Sequence, residues 1–125
     1  MYEVCAKVKY VIDKSFVGLN EYINAERSNR YAGASIKRAE TNAVALMLKG
    51  KEPIKEYPVK LKFTWYVANK RMDGDNRSFA KKFILDGMAK AGVIKNDNLN
   101  HIIGFVDEFV FVDSKAKEKV EIEVI

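Results

Sequence analysis

The chain has 125 residues, of which 48% are hydrophobic and 31% are charged. This balance is typical of a globular protein rather than a disordered one, and the length allows one sizeable core, so we expect a single domain over residues 1–125. The formal net charge of +5 favours a polyanionic partner such as nucleic acid. With one cysteine and one histidine, the chain excludes an internal disulfide and zinc sites that need several such ligands.

Neither a targeting segment nor a membrane span is expected. The first ten residues, MYEVCAKVKY, alternate in character without a long apolar run, which argues against a signal peptide. The longest apolar run, Ala43 to Leu48, is far too short to cross a bilayer. These features predict a cytoplasmic protein without membrane contact, in which Cys5 is a small hydrophobic residue of the first strand.

In the first half of the chain, a strand is followed by two predicted helices. The segment YEVCAKVKYVI, residues 2–12, alternates as a half-buried strand does. A short helix is predicted around Leu19 to Ile23, and a longer one over roughly Tyr31 to Leu48, ended by Gly50 and Pro53. The apolar positions of the longer helix recur at three- and four-residue steps: Ile36, Ala39, Ala43, Leu46 and Met47.

The second half changes again from strand to helix and then adds two strands. YPVKLKFTWYVANK predicts a strand whose apolar face consists of Val59, Leu61, Phe63, Trp65 and Val67. DNRSFAKKFILDGMAKAG predicts one helix with Asp75 or Asn76 as its N-cap and Gly92 at its end. HIIGFVDEFVFVDS and KEKVEIEVI predict the last two strands. The order β-α-β-α-β-β indicates an α+β fold with a mixed four-stranded sheet packed with helices.

The segment RMDGDN, residues 71–76, places two carboxylates one residue apart at the predicted junction of strand and helix. Residues i and i+2 of an extended segment point the same way, so Asp73 and Asp75 are expected to project together, with no side chain from Gly74 between them. Facing carboxylates repel each other unless a cation lies between them, and Mg²⁺ prefers such oxygen ligands. Asp97, in the loop after the helix, is a candidate third ligand if the fold returns it to this end.

A lysine of the following helix would complete this site. At 100° per residue, Lys82 lies about 20° from the direction of Asp75, whereas Lys81 lies about 120° away. Lys82 can also pair with Asp86, four residues further on. Near a metal-bound phosphate, a lysine would stabilise the charge that develops during phosphodiester hydrolysis. Lys81 is expected to point elsewhere, toward solvent or DNA.

Simpler interpretations of the same residues remain open. DGDN is also the pattern of a turn followed by a helix cap, and Lys82 with Asp86 is also an ordinary solvated helix pair. Basic residues near the first helices and beside the acids would neutralise DNA phosphates or form a solvated face. The candidates for DNA binding are Arg27, Arg30, Lys37, Arg38, Lys70, Arg71 and Lys81, with Tyr22 and Tyr31 as candidates for stacking on unpaired bases.

RMDGDN and AKKFILDGMAKAGVIKND resemble the signature of the RusA family of Holliday-junction resolvases. That signature combines acid-x-acid-Asn, a lysine and an aspartate four residues apart in the next helix, a glycine, and an aspartate in the following loop. The matching residues are Asp73, Asp75, Asn76, Lys82, Asp86, Gly92 and Asp97. GLNEYINAERSNRYAGASIK also resembles the N-terminal segment of phage and prophage members from Gram-positive bacteria. In two departures, Asn96 stands where many members carry an acid, and the stretch from Asn76 to Lys82 is longer than in the best-known short version.

The resemblance implies a homodimeric endodeoxyribonuclease, dependent on Mg²⁺ or Mn²⁺, that resolves four-way DNA junctions in recombination and repair. It implies that Asp73, Asp75 and Asp97 bind the metal and that Lys82 is catalytic, with Lys81 as the alternative lysine. A C2 dimer would place one site on each opposed strand of the junction. The candidate dimer interfaces are the apolar segment Phe109 to Val112 and the first helical segment. The alternative function is a non-catalytic basic module that binds nucleic acid.

Overall fold

The computed structural model describes residues 8–125, so the predicted strand positions at Val4, Cys5 and Ala6 lie outside the described residues. The elements are, in chain order, β1 (Lys9–Ile12), α1 (Leu19–Ser28), α2 (Arg30–Leu48), β2 (Val59–Val67), α3 (Gly74–Ser78), α4 (Lys81–Ala91), β3 (Ile102–Phe111) and β4 (Lys119–Val124), with a 3-10 turn at Lys115–Lys117. The predicted α+β fold, with helices and a mixed four-stranded sheet, is confirmed.

The sheet has the strand order β1-β4-β2-β3. β4 runs antiparallel to both β1 and β2, whereas β3 runs parallel to β2. A parallel pair requires a crossover connection, and α3 and α4 belong to the one between β2 and β3. The segment with the paired acids therefore begins this crossover, just beyond the C-terminal end of β2.

The core lies between one face of the sheet and the helices. The odd-numbered residues of β2 are buried and the even-numbered ones are less so, as the alternation predicts. The buried face of α2 differs from the prediction, because Val44 and Leu48 are buried whereas Leu46 and Met47 are exposed. This face is set by close packing of α2 on α4, where a Cβ atom on Gly87 would lie 2.5 Å from the Val44 side chain.

The helix predicted to run continuously from Asp75 or Asn76 is interrupted. α3 ends at Ser78 and α4 begins at Lys81. At this junction, Phe79 and Phe83 both pack against Tyr22 of α1, with ring centroids 5.3 and 5.7 Å from the tyrosine ring. Phe79 and Ala80 keep right-handed helical backbone angles, so the interruption between α3 and α4 is slight. α4 ends as predicted at Gly92, which has the left-handed φ of 79°.

Candidate active site

Asp73 and Asp75 lie at the start of α3, and both are exposed. Asp73 precedes the helix with extended backbone angles, while Asp75 lies in the first turn. The prediction of Asp75 or Asn76 as the N-cap was therefore wrong, and the extended geometry assumed across the pair ends at Gly74. The Asp73 side chain makes no capping hydrogen bond, and Asp75 Oδ1 accepts the Asn76 N–H at 3.0 Å. We call residues 73–76 the acidic turn.

The acidic turn is joined to the start of α1. The side-chain oxygen of Asn76 accepts a hydrogen bond from the Asn20 N–H at 3.1 Å. Gly18 lies directly against this contact, because a Cβ atom there would be 2.6 Å from both Asn76 Oδ1 and Met72 Sδ. A larger residue at position 18 would displace the Asn76 side chain and so disturb its hydrogen bond with Asn20.

Lys82 connects the first turn of α4 with the loop that follows this helix. Its ammonium lies 3.1 Å from Asp86 Oδ1, which confirms the predicted helix pair, and 3.7 Å from Asp97 Oδ2. The loop after α4 thus returns to the side of the helix that carries Lys82. The hydrogen bond to Asp86, with the added charge of Asp97, raises the pKa of Lys82, so the ammonium is protonated at neutral pH.

The three predicted metal ligands are not assembled as one group. Within residues 8–125, no cluster of three or more Asp, Glu, His or Cys side chains has an arrangement that would hold a metal ion. Asp97 is paired with Lys82, while Asp73 and Asp75 stay together on the acidic turn. Mg²⁺ sites often use one or two protein carboxylates and take the remaining ligands from water and substrate phosphate. The two exposed carboxylates of the turn fit this donor set.

Lys81 was expected to point toward solvent or DNA, and this expectation was wrong. Its ammonium pairs with Asp107 Oδ2 at 2.7 Å, and only 18% of the side-chain surface is exposed. The ammonium also lies 5.3 and 4.7 Å from the ring centroids of Phe63 and Phe105. Since Asp107 Oδ1 accepts the indole N–H of Trp65 at 2.9 Å, both carboxylate oxygens are used inside this contact. Lys81 therefore helps to pack α4 on the sheet.

The other predicted DNA contacts are exposed: Arg27, Arg30, Lys37, Arg38, Lys70 and Arg71. Lys37 and Arg38 line a groove of about 320 Å³ between α2 and α4, together with Lys90 and Asp86. Sequence reasoning missed Lys90, although its spacing of four residues from Asp86 places both on one side of α4. Of the two candidate stacking residues, Tyr31 is exposed, whereas Tyr22 packs against the phenylalanines described above.

None of the helices in residues 8–125 combines the length and apolar character that a membrane crossing requires. Comparison of the chain with models of known protein families and with curated proteins gives no match. The resemblance to the RusA signature therefore stays a prediction from the residues that carry it.

Proposed function

We propose that this protein is a metal-dependent endodeoxyribonuclease that cuts four-way DNA junctions. The observation that carries this proposal is the contact between Lys82 and Asp97. These residues are 15 positions apart in the chain, and both match the RusA signature. Their contact brings the candidate third acid to the helix that follows the acidic turn, and a cap or turn at DGDN does not require such a contact.

Each residue of the site has a distinct role in the proposal. Asp73 and Asp75 would hold Mg²⁺, which when bound supplies an activated water and a polarised phosphate. Lys82 is protonated and 55% exposed, so its ammonium can stabilise charge on the scissile phosphate. A phosphate beside Lys82 competes with Asp97 for this ammonium, and the carboxylate of Asp97 would then become available as a further ligand.

Branched DNA suits the charge distribution around this site. The net charge of +5 favours a polyanion, and Lys37, Arg38 and Lys90 line the groove that contains Asp86, the partner of Lys82. Lys70 and Arg71 are exposed immediately before the acidic turn. DNA phosphates that follow these cations would pass beside Lys82.

A homodimer is part of the same proposal, and β3 is the surface that suits it best. This ten-residue strand lies at the edge of the sheet, and six of its large apolar residues are 37–56% exposed: Ile103, Phe105, Val106, Phe109, Val110 and Phe111. It contains no lysine or proline, and its two charged residues, Asp107 and Glu108, are paired with Lys81 and Lys62 of the same chain. Antiparallel pairing with β3 of a second copy would satisfy its free backbone groups and bring the apolar side chains of the two strands into contact. By contrast, α1 has no buried residue and is not comparably apolar.

The experiment that tests the proposed function is cleavage of a synthetic four-way junction by Asp75→Asn. Losing one carboxylate ligand should lower the Mg²⁺-dependent rate at least about 10-fold. Junction binding should persist, because the variant removes negative charge facing the phosphates. Asp13→Asn, an exposed aspartate outside the site, is the matched control and should cleave at the wild-type rate.

Two results would contradict the proposal. If Asp75→Asn cleaves the junction as fast as Asp13→Asn does, the acidic turn does not bind a catalytic metal. Salt-sensitive binding of the junction by the wild-type chain, without cleavage at any Mg²⁺ or Mn²⁺ concentration, would instead identify a non-catalytic binding module.

A further inference from the structure

A buried carboxylate, Glu118, lies between the 3-10 turn and β4. It is 6% exposed and is the one fully buried charged residue in the described part of the chain. It accepts hydrogen bonds from Ser15 Oγ at 2.9 Å, from the Ala68 N–H at 2.8 Å and from Arg77 Nη1 at 3.2 Å. Burial alone would raise the pKa of Glu118, but these hydrogen bonds and the charge of Arg77 lower it, so the group is ionised at neutral pH.

The partner of this carboxylate, Arg77, belongs to α3 and follows Asp75 by two residues. Its Nη1 donates to Glu118, and its Nη2 lies 3.2 Å from Asn69 Oδ1 and 3.4 Å from the Asn69 carbonyl oxygen. The backbone N–H of Arg77 donates to the carbonyl of Asp73 at 3.0 Å. One side chain thereby joins the start of β4, the loop after β2 and the acidic turn.

The ion pair of Arg77 and Glu118 fixes the position of the acidic turn relative to the loop after β2. Hydrophobic residues of similar volume often stabilise a fold as well as a buried ion pair does, because removing two charges from water is costly. Such residues would not hold the loop and the turn at a defined distance, whereas the planar guanidinium bonds in fixed directions. Asn69 extends the same connection, because its side-chain oxygen accepts the Arg71 N–H at 3.0 Å.

We infer that Arg77 and Glu118 are positioning residues that hold Asp73 and Asp75 in the geometry for metal binding. This inference rests on the proposed nuclease function. Neither side chain needs to touch the metal or the DNA, since Glu118 is buried and the guanidinium of Arg77 is turned toward it. Their effect passes through the backbone of residues 68–77, and groups of this kind typically change metal affinity or activity by about 10- to 100-fold.

The test compares Glu118→Gln with Glu121→Gln in the full-length chain. Glu121 lies in β4, three residues after Glu118, on the less buried face of the sheet, where it accepts a hydrogen bond from Tyr66 and pairs with Lys9 at 2.6 Å. Glu118→Gln should raise the Mg²⁺ concentration at half-maximal junction cleavage about 10-fold or more, with unchanged KM for the junction. Amide hydrogen exchange in residues 68–77 should become faster. The control should change neither value.

A loss of folded protein would lower the rate of either variant without changing the half-maximal Mg²⁺ concentration, so this readout separates positioning from stability. If Glu118→Gln folds poorly, Arg77→Lys keeps the positive charge but lacks the planar fork that contacts both Glu118 and Asn69, and the same shift is expected. If the wild-type chain cleaves the junction and the folded variant has the same half-maximal Mg²⁺ concentration, the positioning role is overturned but the proposed function is not. A wild-type chain that cleaves nothing would overturn the proposed function and this inference with it.

Discussion

At the scale of single residues, two adjacent lysines at the start of α4 have different surroundings. Lys81 is held by Asp107 beneath the helix, while Lys82 is largely exposed between Asp86 and Asp97. The sequence predicted the pairing of Lys82 with Asp86, because residues four apart share a helix face. It did not predict the partner of Lys81, since Asp107 belongs to β3 and only the packing of α4 on the sheet brings the two together.

Substitution of each lysine by glutamine should separate catalysis from stability. Lys82→Gln should lower the single-turnover rate of junction cleavage about 100-fold or more, because a protonated donor beside the phosphate is lost. Lys81→Gln should leave Asp107 without its cation and lower the free energy of unfolding by about 1 kcal/mol. Single-turnover cleavage and urea denaturation measure the two effects, and similar effects of both changes would contradict the assignment.

Glu118 also predicts how stability depends on pH. Its folded-state pKa lies below the ordinary value of 4.5, so as pH falls the unfolded chain binds the proton first. The stabilisation is therefore complete above about pH 5 and is lost as pH falls through the folded-state pKa. Urea denaturation between pH 7 and pH 3 should show a smaller decrease for Glu118→Gln than for the wild type. Parallel curves would show that the carboxylate is not stabilised by folding.

At the scale of elements, α2 and α4 approach each other closely at Gly87. A Cβ atom there would lie 2.5 Å from the Val44 side chain and 2.9 Å from the Thr41 carbonyl oxygen, neither of which can readily move. Gly33 in α2 is also buried, and a Cβ atom there would lie 2.3 Å from Glu26 Cγ, so the Glu26 side chain would have to change its χ1 rotamer; Glu26 is exposed, whereas Val44 is buried.

Alanine substitutions at these two glycines should therefore differ in cost. Gly87→Ala should lower the free energy of unfolding by about 1–3 kcal/mol through overpacking. Gly33→Ala should be less destabilising, because the exposed Glu26 side chain can change rotamer and alanine favours a helix over glycine by about 1 kcal/mol. Thermal denaturation followed by circular dichroism compares them, and a stabilised Gly87→Ala variant would refute the close packing of α2 on α4.

The elements also show which features a sequence can predict. Alternation identified β2, periodicity identified α2, and Gly92 marked the end of α4, because each signal is local. The contact of Phe79 with Tyr22 joins residues more than fifty positions apart, and no local pattern predicts it. The return of Asp97 to Lys82 depends on the path of the loop after α4, and the pairing of Arg77 with Glu118 depends on tertiary packing; local patterns encode neither.

At the scale of the whole molecule, the two edges of the sheet offer a matched test of the proposed dimer. Val110 on β3 and Val11 on β1 are both exposed apolar residues of edge strands. Val110→Lys should give a monomer by sedimentation equilibrium, because it places a charge where the second β3 would pair. Val11→Lys should remain a dimer. A wild-type chain that is monomeric at every concentration would exclude this interface.

The strand order has a further consequence for biosynthesis. β1 joins the sheet through β4, which lies between β1 and β2 although it follows them by many residues in the chain. A nascent polypeptide whose residues 119–124 are still inside the ribosome has no partner for β1, so Tyr10 and Ile12 cannot yet reach their buried positions. The core can therefore be completed only after β4 has been translated. Until then, the apolar segments that precede β4 are exposed and must be kept from aggregating.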